Sequence, residues 1–400
     1  LNLGLTGKSD SLLGKLGMWD GGGVLATHQE FGTRVTAAQT TSSLSDHATH
    51  VAGTLVATGI SPSAKGMAYA ADMKFWDFTN DNSEMSTAST SLLISNHSYG
   101  YQAGWIYDET KKKWQWWGND AISNLEDYKF GYYDSNAQAL DKIAFNAPYY
   151  LITKSAGNSR SENGPDFTKG EYYLLKNTKD SSNVVRAKND GYDIISTTGT
   201  AKNILTVGAI ESINQAPNLA SEIRVSSFSS WGPTDDGRIK PDITAPGTWI
   251  ASLKSQFASD ANAWLGIDEN YLFQGGTSQA GPHVSGACAV FIQWYRETQG
   301  GLTPSPALVK ASLINSAVDM TSGEVPVDTD DEEAGTMLVV GGTPPVPNND
   351  EGWGRCDVAA LITGERRFNF TDQGIGLKTG ALSEKRIVVG GDDALKVTLT

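Results

Sequence analysis

Apolar stretches of strand length alternate along this chain with stretches whose small and apolar residues recur at helical spacing. The strand-like stretches are 14–20, 72–78, 91–98, 149–155 and 203–209. The helix-like stretches are 47–59, 135–147, 306–318 and the residues that follow Ser278. Strands joined through helices usually lie parallel in one sheet, so this alternation predicts an open α/β sheet. Functional groups of such sheets gather just beyond the carboxyl ends of the strands.

Composition limits the partners that this chain can bind. With 400 residues, 39% hydrophobic and 19% charged, it is expected to form one large globular domain with an addition. No apolar run approaches the roughly 20 residues of a membrane-spanning helix. The net charge of −14 disfavours nucleic acid and anionic membranes as partners, because both are negatively charged. Cys288 and Cys356 are too few for a disulfide framework; they could pair, but we favour two buried thiols.

Three stretches interrupt the alternation, and the chain changes character near its end. The interruptions are a Trp-rich hairpin within 101–134, a polar excursion over 159–194 and an acidic, Pro-rich loop over 321–350. The hairpin at 105–117 either overhangs a cleft or packs on itself. Residues 385–400 alternate like a hairpin around Gly390 and Gly391. A lone hairpin is unstable, so 1–367 is expected to be the main domain and 368–400 the start of an all-β domain.

Ser278 precedes a helix in GGTSQAGPHVSG (275–286), where a serine is ordinarily a helix cap. A nucleophilic serine also needs a base, an acid that holds the base, and donors for an oxyanion. Asp20 ends a strand before three glycines, His47 opens a helix after a polar loop, and Asn158 follows a strand. Taken alone, each favours an ordinary interpretation as a turn, structural or capping residue.

Together these stretches carry a resemblance. WDGGG (19–23), DHATHVAGT (46–54), SAGN (155–158) and GGTSQAGPHVSG, in this order, resemble the Asp, His, Asn and Ser signatures of the subtilases, the subtilisin-like serine proteases. Two further segments of that family resemble residues 228–247 and 352–361, so the likeness spans about 14–365. The resemblance implies a three-layer, doubly wound, mostly parallel sheet. It is closest to the branch that carries a C-terminal β-barrel or β-sandwich domain.

The resemblance also implies a serine endopeptidase that hydrolyses peptide bonds through an acyl-enzyme. Ser278 is then the nucleophile, His47 the base, Asp20 the residue that orients His47, and Asn158 an oxyanion donor together with the Ser278 backbone N–H. Two extended edges pair with a protein or peptide substrate and wall its main pocket. Their residues are Ser98, Tyr99 and Gly100 on one edge and Ser155, Ala156 and Gly157 on the other, with the segment near Ser196 as the pocket floor.

Three positions depart from the family pattern. Gly21 follows Asp20 where Ser or Thr is usual, and Ala48 follows His47 where Gly is usual. Gln279 stands beside Ser278 where many subtilases carry Met. A thioether next to the nucleophile is open to oxidation, so Gln279 predicts that activity survives mild peroxide.

Other functions remain open at this point. His47 and His50 at i, i+3 beside Asp46 suggest a metal hydrolase, but the Glu of the zinc-protease helix and a third ligand are missing. A subtilase fold can also serve as a non-hydrolytic binding module, or as a transpeptidase that uses the same acyl-enzyme. An activity assay with a chelator, compared with one that contains a serine-directed fluorophosphonate, separates the two mechanisms: the first reagent inhibits a metal hydrolase and the second a serine hydrolase.

The resemblance implies no cofactor for catalysis, although subtilases often hold structural calcium. An acidic run offers oxygen ligands, but such runs are more often solvated loops, so no ligand is assigned; its residues are Asp328, Asp330, Asp331 and Glu333. The resemblance and the acidic composition suggest an exported bacterial enzyme, secreted, periplasmic or at the cell surface. It is expected to be a zymogen with an upstream pro-segment as intramolecular inhibitor, since the chain starts at Leu1 rather than Met.

Overall fold

The structure is a computed structural model that describes residues 5–7, 12, 14–41, 43–176, 180–213, 223–255, 263–320, 324–327, 338–342, 344–364, 368–372, 374, 376–388 and 395–400. Its helices are α1 (Asp46–Val56), α2 (Asp81–Ala88), α3 (Ser135–Asn146), α4 (Thr277–Thr298), α5 (Pro306–Ser316) and α6 (Val358–Ile362). Its strands are β1 (Leu16–Asp20), β2 (Val35–Ala37), β3 (Met73–Asp77), β4 (Ile94–His97), β5 (Trp105–Asp108), β6 (Lys113–Trp116), β7 (Leu151–Ser155), β8 (Tyr173–Leu175), β9 (Ser181–Ser182), β10 (Leu205–Ile210), β11 (Ile243–Pro246), β12 (Ile250–Leu253), β13 (Ala263–Gly266), β14 (Tyr271–Gln274), β15 (Glu324–Val327) and β16 (Leu338–Gly342).

Seven strands form the central sheet, in the order β11-β10-β7-β4-β1-β3-β2, and every neighbouring pair is parallel. The predicted open α/β sheet is therefore confirmed. After β1 the chain places β2 at the outer edge and then β3 between β1 and β2, and it crosses to β4 and adds β7, β10 and β11 on the other side. The strand order reverses between β1 and β4, which is where a doubly wound sheet opens a crevice at its carboxyl edge.

Helices cover both faces of this sheet. The strands β1, β4 and β7 are buried along their whole length, as strands covered on two sides must be. On one face, the larger core contains Val51 of α1, Val284 of α4 and Leu313 of α5. Leu140 of α3 joins Trp19 and Ile152 in the core on the other face. The predicted three-layer arrangement is confirmed.

Helix α4 runs from the carboxyl edge through the middle of the molecule. It begins after Gly276, whose φ of 146° suits glycine and few other residues. Pro282 lies inside the helix and has no N–H, so the carbonyl oxygen of Ser278 loses its usual partner four residues later. The hydroxyl of Ser98 donates to that oxygen instead, at 2.7 Å. The proline is thus accommodated by the side chain of Ser98, the residue after β4.

The two excursions after β4 and after β7 meet in one four-stranded sheet, in the order β5-β6-β8-β9, which we call the inserted sheet. The Trp-rich hairpin is present as the antiparallel pair β5 and β6, and β6 pairs in parallel with β8. Trp105, Trp116 and Tyr173 are fully buried together in a small core of their own. The hairpin therefore packs against the second excursion.

Two smaller features complete the fold. The strands β12, β14 and β13 form an antiparallel sheet that leads directly into α4. Within the loop predicted over 321–350, β15 and β16 form a hairpin. Among the residues that the structure describes, no helix is both long enough and apolar enough to cross a membrane. Cys288 is buried and Cys356 half-buried, and both are free thiols.

The C-terminal segment lies along the helices of the main domain. Phe370 stacks among aromatic residues of α4, and Asn315 of α5 donates to the carbonyl of Lys396 and to Thr398. The described parts of 368–400 contain no strand. Gly390 and Gly391, the turn of the predicted hairpin, lie outside the described residues. The start of a second domain at residue 368 stays a prediction.

Candidate active site

The carboxyl edge of the sheet collects the residues that the sequence motifs single out. Asp20 is the last residue of β1 and His97 the last of β4, so Ser98 follows directly at this edge. Ser155 ends β7, three residues before Asn158. The first turn of α4, with Ser278, begins at the same place, since Ser98 and Ser278 are hydrogen-bonded. The crevice between β1 and β4 is therefore the candidate site.

His47 and Asp20 form a close pair. His47 Nδ1 lies 2.7 Å from Asp20 Oδ1, which also accepts the backbone N–H of Gly21 at 2.8 Å. Asp20 is 2% exposed, whereas the His47 ring is 21% exposed. Asp20 Oδ2 has no hydrogen-bond partner among the described residues. A buried carboxylate therefore fixes the imidazole while the ring edge reaches the cleft.

Gly21 has a structural reason to be glycine. A Cβ at this position would lie 2.8 Å from the ring of Phe78, just after β3. Phe78 in turn packs against Tyr99, with ring centroids 5.0 Å apart. The Ser or Thr that is usual in the family would displace this ring. Gly21 therefore leaves room for the Phe78 ring in its observed position.

Asn158 is held through the oxygen of its amide. Asn158 Oδ1 accepts two hydrogen bonds from Thr277, one from its backbone N–H and one from its hydroxyl, both at 2.8 Å. The backbone N–H of Gly157 donates to the same hydroxyl at 3.1 Å. The Asn158 Nδ2 group lies beside Gly276, where a Cβ would approach it to 3.0 Å. The donor end of the amide is thereby placed next to the start of α4.

Ser278 is half-buried at the second position of α4. Its hydroxyl donates to the carbonyl oxygen of Ser98 at 3.0 Å. Gln279 beside it is almost fully buried, and its side chain donates to Gln274 Oε1 at 3.1 Å. The Ser278 hydroxyl is thus held at Ser98, just after β4, and the next side chain along α4 is the buried amide of Gln279.

The two predicted substrate edges lie at the ends of the neighbouring parallel strands β4 and β7. Gly100 is exposed, and a Cβ there would lie 3.4 Å from Ser196 Oγ, so this serine faces the Ser98–Gly100 edge. On the other edge Ser155 and Ala156 are buried, and the carbonyl of Gly157 accepts the N–H of Ser230 at 2.9 Å. The structure brings the expected pocket-floor segment next to Gly100.

The Tyr99 side chain points away from the cleft. Its hydroxyl donates to Asp81 Oδ2 at 2.8 Å and lies 2.9 Å from His97 Nδ1. Burial raises the pKa of Tyr99 well above its ordinary value. Tyr99 therefore offers the cleft its backbone, while its ring supports the edge from behind.

Lys154 is a residue that the motifs did not reveal. It is 3% exposed near the end of β7, and its Nζ donates to the carbonyl of Tyr99 and lies 4.3 Å from the centre of the Tyr99 ring. Burial lowers the pKa of Lys154 to about 8, although the carboxylates of Asp81 and Asp20 oppose the shift. The only sequence signal was a lysine within the predicted buried strand LITKS.

His50 does not join His47 in a metal site. It is fully buried, with Nε2 2.9 Å from the carbonyl of Ile250, and burial lowers its pKa to about 3. Across the described part of the chain, no group of three His, Cys, Asp or Glu side chains is placed to hold a metal ion. The run from Asp328 to Glu333, suggested for calcium, lies outside the described residues. These residues do not fit a metal mechanism.

Comparison with known sequences agrees with this architecture. The model described as the subtilase family matches residues 27–354. The chain belongs to the subtilase family. The serine protease/ABC transporter B family protein tagD of Dictyostelium discoideum is 25% identical to this subtilase over 340 residues, which are 71% of this chain and 18% of that protein. The serine protease AprX of Bacillus subtilis is 37% identical over 113 residues, 27% of this chain and 25% of the relative.

Solved structures share the fold. The CspB protease of Clostridium perfringens has a TM-score of 0.57 at 17% identity, covering 91% of this subtilase and 97% of that chain. The prenylagaramide maturation protease PagA has a TM-score of 0.53 at 19% identity, covering 90% and 96%. This subtilase spans 18% and 17% of the length of two curated relatives, tagD and tagB. The subtilisin-like peptidase fold is therefore shown, and subtilases need no cofactor for catalysis.

Proposed function

We propose that this subtilase is a serine endopeptidase that uses Ser278 as nucleophile, His47 as general base and Asp20 as the carboxylate that orients the base. The hydrogen bond between His47 Nδ1 and the buried Asp20 carboxylate carries the proposal. That bond fixes the orientation of the imidazole, and Nε2 is the proposed proton acceptor. A buried carboxylate also stabilises the imidazolium that forms when the base takes a proton.

The proposed reaction runs in two halves. The Ser278 oxygen bonds to the carbonyl carbon of the scissile peptide while its proton passes to His47. His47 then gives that proton to the leaving amine, the C–N bond breaks, and an acyl-enzyme remains. Water attacks the acyl carbon with His47 as base, which releases the acid product and restores the Ser278 hydroxyl.

Asn158 Nδ2 and the backbone N–H of Ser278 are the proposed donors to the oxyanion. Thr277 binds the Asn158 oxygen, and this leaves the amide nitrogen as the group that faces the developing charge. The Ser278 N–H belongs to the first turn of α4, where helix N–H groups have no intrahelical partner. The positive end of the helix dipole adds to the same field. Removing one such donor costs about 10²–10³ in turnover.

The contact between Ser278 and Ser98 suggests how substrate starts the reaction. Ser98 lies on the edge proposed to pair with the backbone of an extended peptide. A substrate N–H that binds the Ser98 carbonyl competes with the Ser278 hydroxyl for the same oxygen. The hydroxyl is then released toward His47 when the peptide is in place.

Labelling with a fluorophosphonate, read by intact-protein mass spectrometry, tests this function. The wild type is expected to gain one label, and Ser278→Ala none. Asn158→Ala should label more slowly. A folded wild type that stays unlabelled contradicts the proposal and favours a non-hydrolytic binding module. If labelling succeeds, product masses with an added amine distinguish hydrolysis from transpeptidation.

The resemblance to exported subtilases supports two wider proposals. The protein is proposed to be a bacterial enzyme that acts outside the cytoplasm, and an upstream pro-segment is proposed to inhibit it until cleavage. Co-expression of the chain with and without its natural upstream segment tests the second proposal. Inhibition by that segment when it is added separately is the expected result.

A further inference from the structure

An exposed pair of indoles lies beside the proposed nucleophile. Trp249 precedes β12 and Trp264 lies on β13, and their ring centroids are 5.0 Å apart at 77°. Phe273 of β14 extends the group, 5.9 Å from Trp249. Trp249 is 53% exposed and Trp264 is 38% exposed. We call Trp249, Trp264 and Phe273 the aromatic wall.

The wall directly contacts the turn that leads to Ser278. A Cβ built on Gly275 would lie 2.0 Å from the Trp264 ring, so the indole covers the backbone of this residue. Gly275 is three residues before Ser278. A side chain at 275 could coexist with Trp264 only if the ring moved. The position of the indole and the absence of a side chain at Gly275 therefore depend on each other.

The wall and the two proposed substrate edges belong to different elements: the wall lies on and beside β12 to β14, and the edges lie at the ends of β4 and β7. Its neighbour Phe228, 6.4 Å from Trp264, accepts the N–H of Arg160 with its carbonyl at 3.4 Å, just past Asn158. The wall thus lies against the turn before Ser278, and Phe228 connects it to the segment after Asn158. If a peptide seated on the edges at 98–100 and 155–157 supplies the acyl side of the scissile bond, the wall is the surface left beside the Ser278 turn for the leaving-group side.

Two features distinguish the wall from ordinary core. Trp249 has a φ of 50°, in the left-handed region that bulky residues rarely adopt. Such a conformation costs free energy, and residues that adopt it cluster at functional sites. Burial of the Trp249 ring does not offset this cost, because about half of the ring is exposed to solvent. An exposed, pre-formed aromatic surface next to a reactive group is typical of a binding site.

We propose that the aromatic wall binds an apolar side chain, aromatic or large aliphatic, on the leaving-group side of the scissile bond. The inference rests on the proposed peptidase function and assigns the substrate preference of that same site. The two indole faces meet at a steep angle, so a side chain can touch both at once. Discrimination of about tenfold or more over glycine is expected for such a contact.

Partition of the acyl-enzyme measures this site directly. The enzyme is acylated with a peptide ester whose leaving group is methanol, so nothing occupies the leaving-group side. Amino acid amides then compete with water: the amine nitrogen bonds to the acyl carbon, the ester bond to Ser278 breaks, and the amine proton returns through His47 to the Ser278 oxygen. The ratio of amide to acid product reports how well each amine binds.

Phenylalanine amide and leucine amide are expected to outcompete glycine amide by about tenfold or more in the wild type. Trp264→Ala should reduce this preference to within about threefold while ester turnover stays within about twofold. Phe145→Ala is the matched control, since Phe145 is an exposed aromatic residue at the end of α3. It should change neither value.

Each other outcome decides the matter. One such outcome is a wild type that turns over the ester but transfers its acyl group equally to all three amines. This result overturns the proposed role of the aromatic wall and leaves the peptidase proposal standing. A wild type with neither ester turnover nor fluorophosphonate label overturns both. If Trp264→Ala lowers ester turnover because it disturbs Gly275, Trp249→Ala decides instead. Loss of preference there supports the wall, and full preference overturns it.

Discussion

Ser98 and Ser278 exchange two hydrogen bonds across the carboxyl edge of the sheet. The Ser98 hydroxyl donates to the Ser278 carbonyl at 2.7 Å, and the Ser278 hydroxyl donates to the Ser98 carbonyl at 3.0 Å. The first bond exists because Pro282 has no N–H to offer that carbonyl. A proline one turn into α4 therefore ties the nucleophile to the substrate edge.

Ser98→Ala is expected to lower the free energy of unfolding by about 1–2 kcal/mol, because the carbonyl of Ser278 then has no donor. Pro282→Ala in the same chain should recover much of this loss, since the new alanine supplies the helical N–H that proline lacks. Urea unfolding of the two single variants and the double variant measures the coupling. Simple addition of the two effects contradicts this account of the proline.

Asn158→Asp is expected to lower kcat by about 10²–10³ with little change in stability. The carboxylate keeps an oxygen acceptor for Thr277, but it replaces the amide donor with a second oxygen. Thr277→Val is the control, because it removes one anchoring bond and keeps the amide. Its kcat should fall less than that of Asn158→Asp. A larger fall in Thr277→Val indicates that Asn158 serves structure alone.

Lys154→Met tests the buried ammonium behind Tyr99. The folded pKa of Lys154, about 8, lies below its unfolded value of 10.5, so between these two pH values the unfolded chain binds more protons and stability rises with pH. The wild type should gain about 1 kcal/mol per pH unit over the variant from pH 8 to 10. Urea unfolding of both proteins at pH 7, 8, 9 and 10 measures this difference in the free energy of unfolding. A flat difference indicates an ordinary lysine.

The same variant has an expected effect on activity. Without the bond from Nζ, the Tyr99 carbonyl loses its support and the edge at Ser98–Gly100 becomes less defined. KM for an extended peptide should therefore rise several-fold, while fluorophosphonate labelling of Ser278 changes little. The control is Lys176→Met, the same substitution at the residue that follows β8 of the inserted sheet. Equal loss of peptide turnover and labelling would assign Lys154 to the chemistry instead.

Gln279→Met is expected to create sensitivity to peroxide. Gln279 is buried next to Ser278, and a thioether there would be converted to a bulkier, polar sulfoxide. The wild type should keep most of its activity after mild peroxide, and the variant should lose it in parallel with a mass gain of one oxygen. Rapid loss in the wild type without unfolding contradicts the prediction.

Local pattern was enough to predict the parallel sheet, whereas the set of site residues came from the resemblance to the subtilase motifs. Asp20, His47, Asn158 and Ser278 are each marked by a strand end or a helix start, and topology brings these ends together. The support behind them was not visible. Phe78, which lies against Gly21, and Lys154, which donates to the Tyr99 carbonyl, act across strands, and their neighbours in the sequence do not indicate these partners.

The inserted sheet escaped prediction for a related reason. Its hairpin has a local pattern, but β6 pairs with β8, which belongs to the other excursion. The burial of Trp105 and Trp116 depends on Tyr173 from that excursion. A pairing between distant segments is decided by tertiary packing, which alternation and turn residues do not encode.

One mechanical consequence follows from that pairing. The first excursion leaves the cleft just after Gly100, and the second leaves it just after Asn158. Both proposed substrate edges therefore continue into segments that pair with each other in the inserted sheet, and this pairing restrains their separation. On the proposed peptidase function, a groove of restrained width favours an extended peptide over a folded segment.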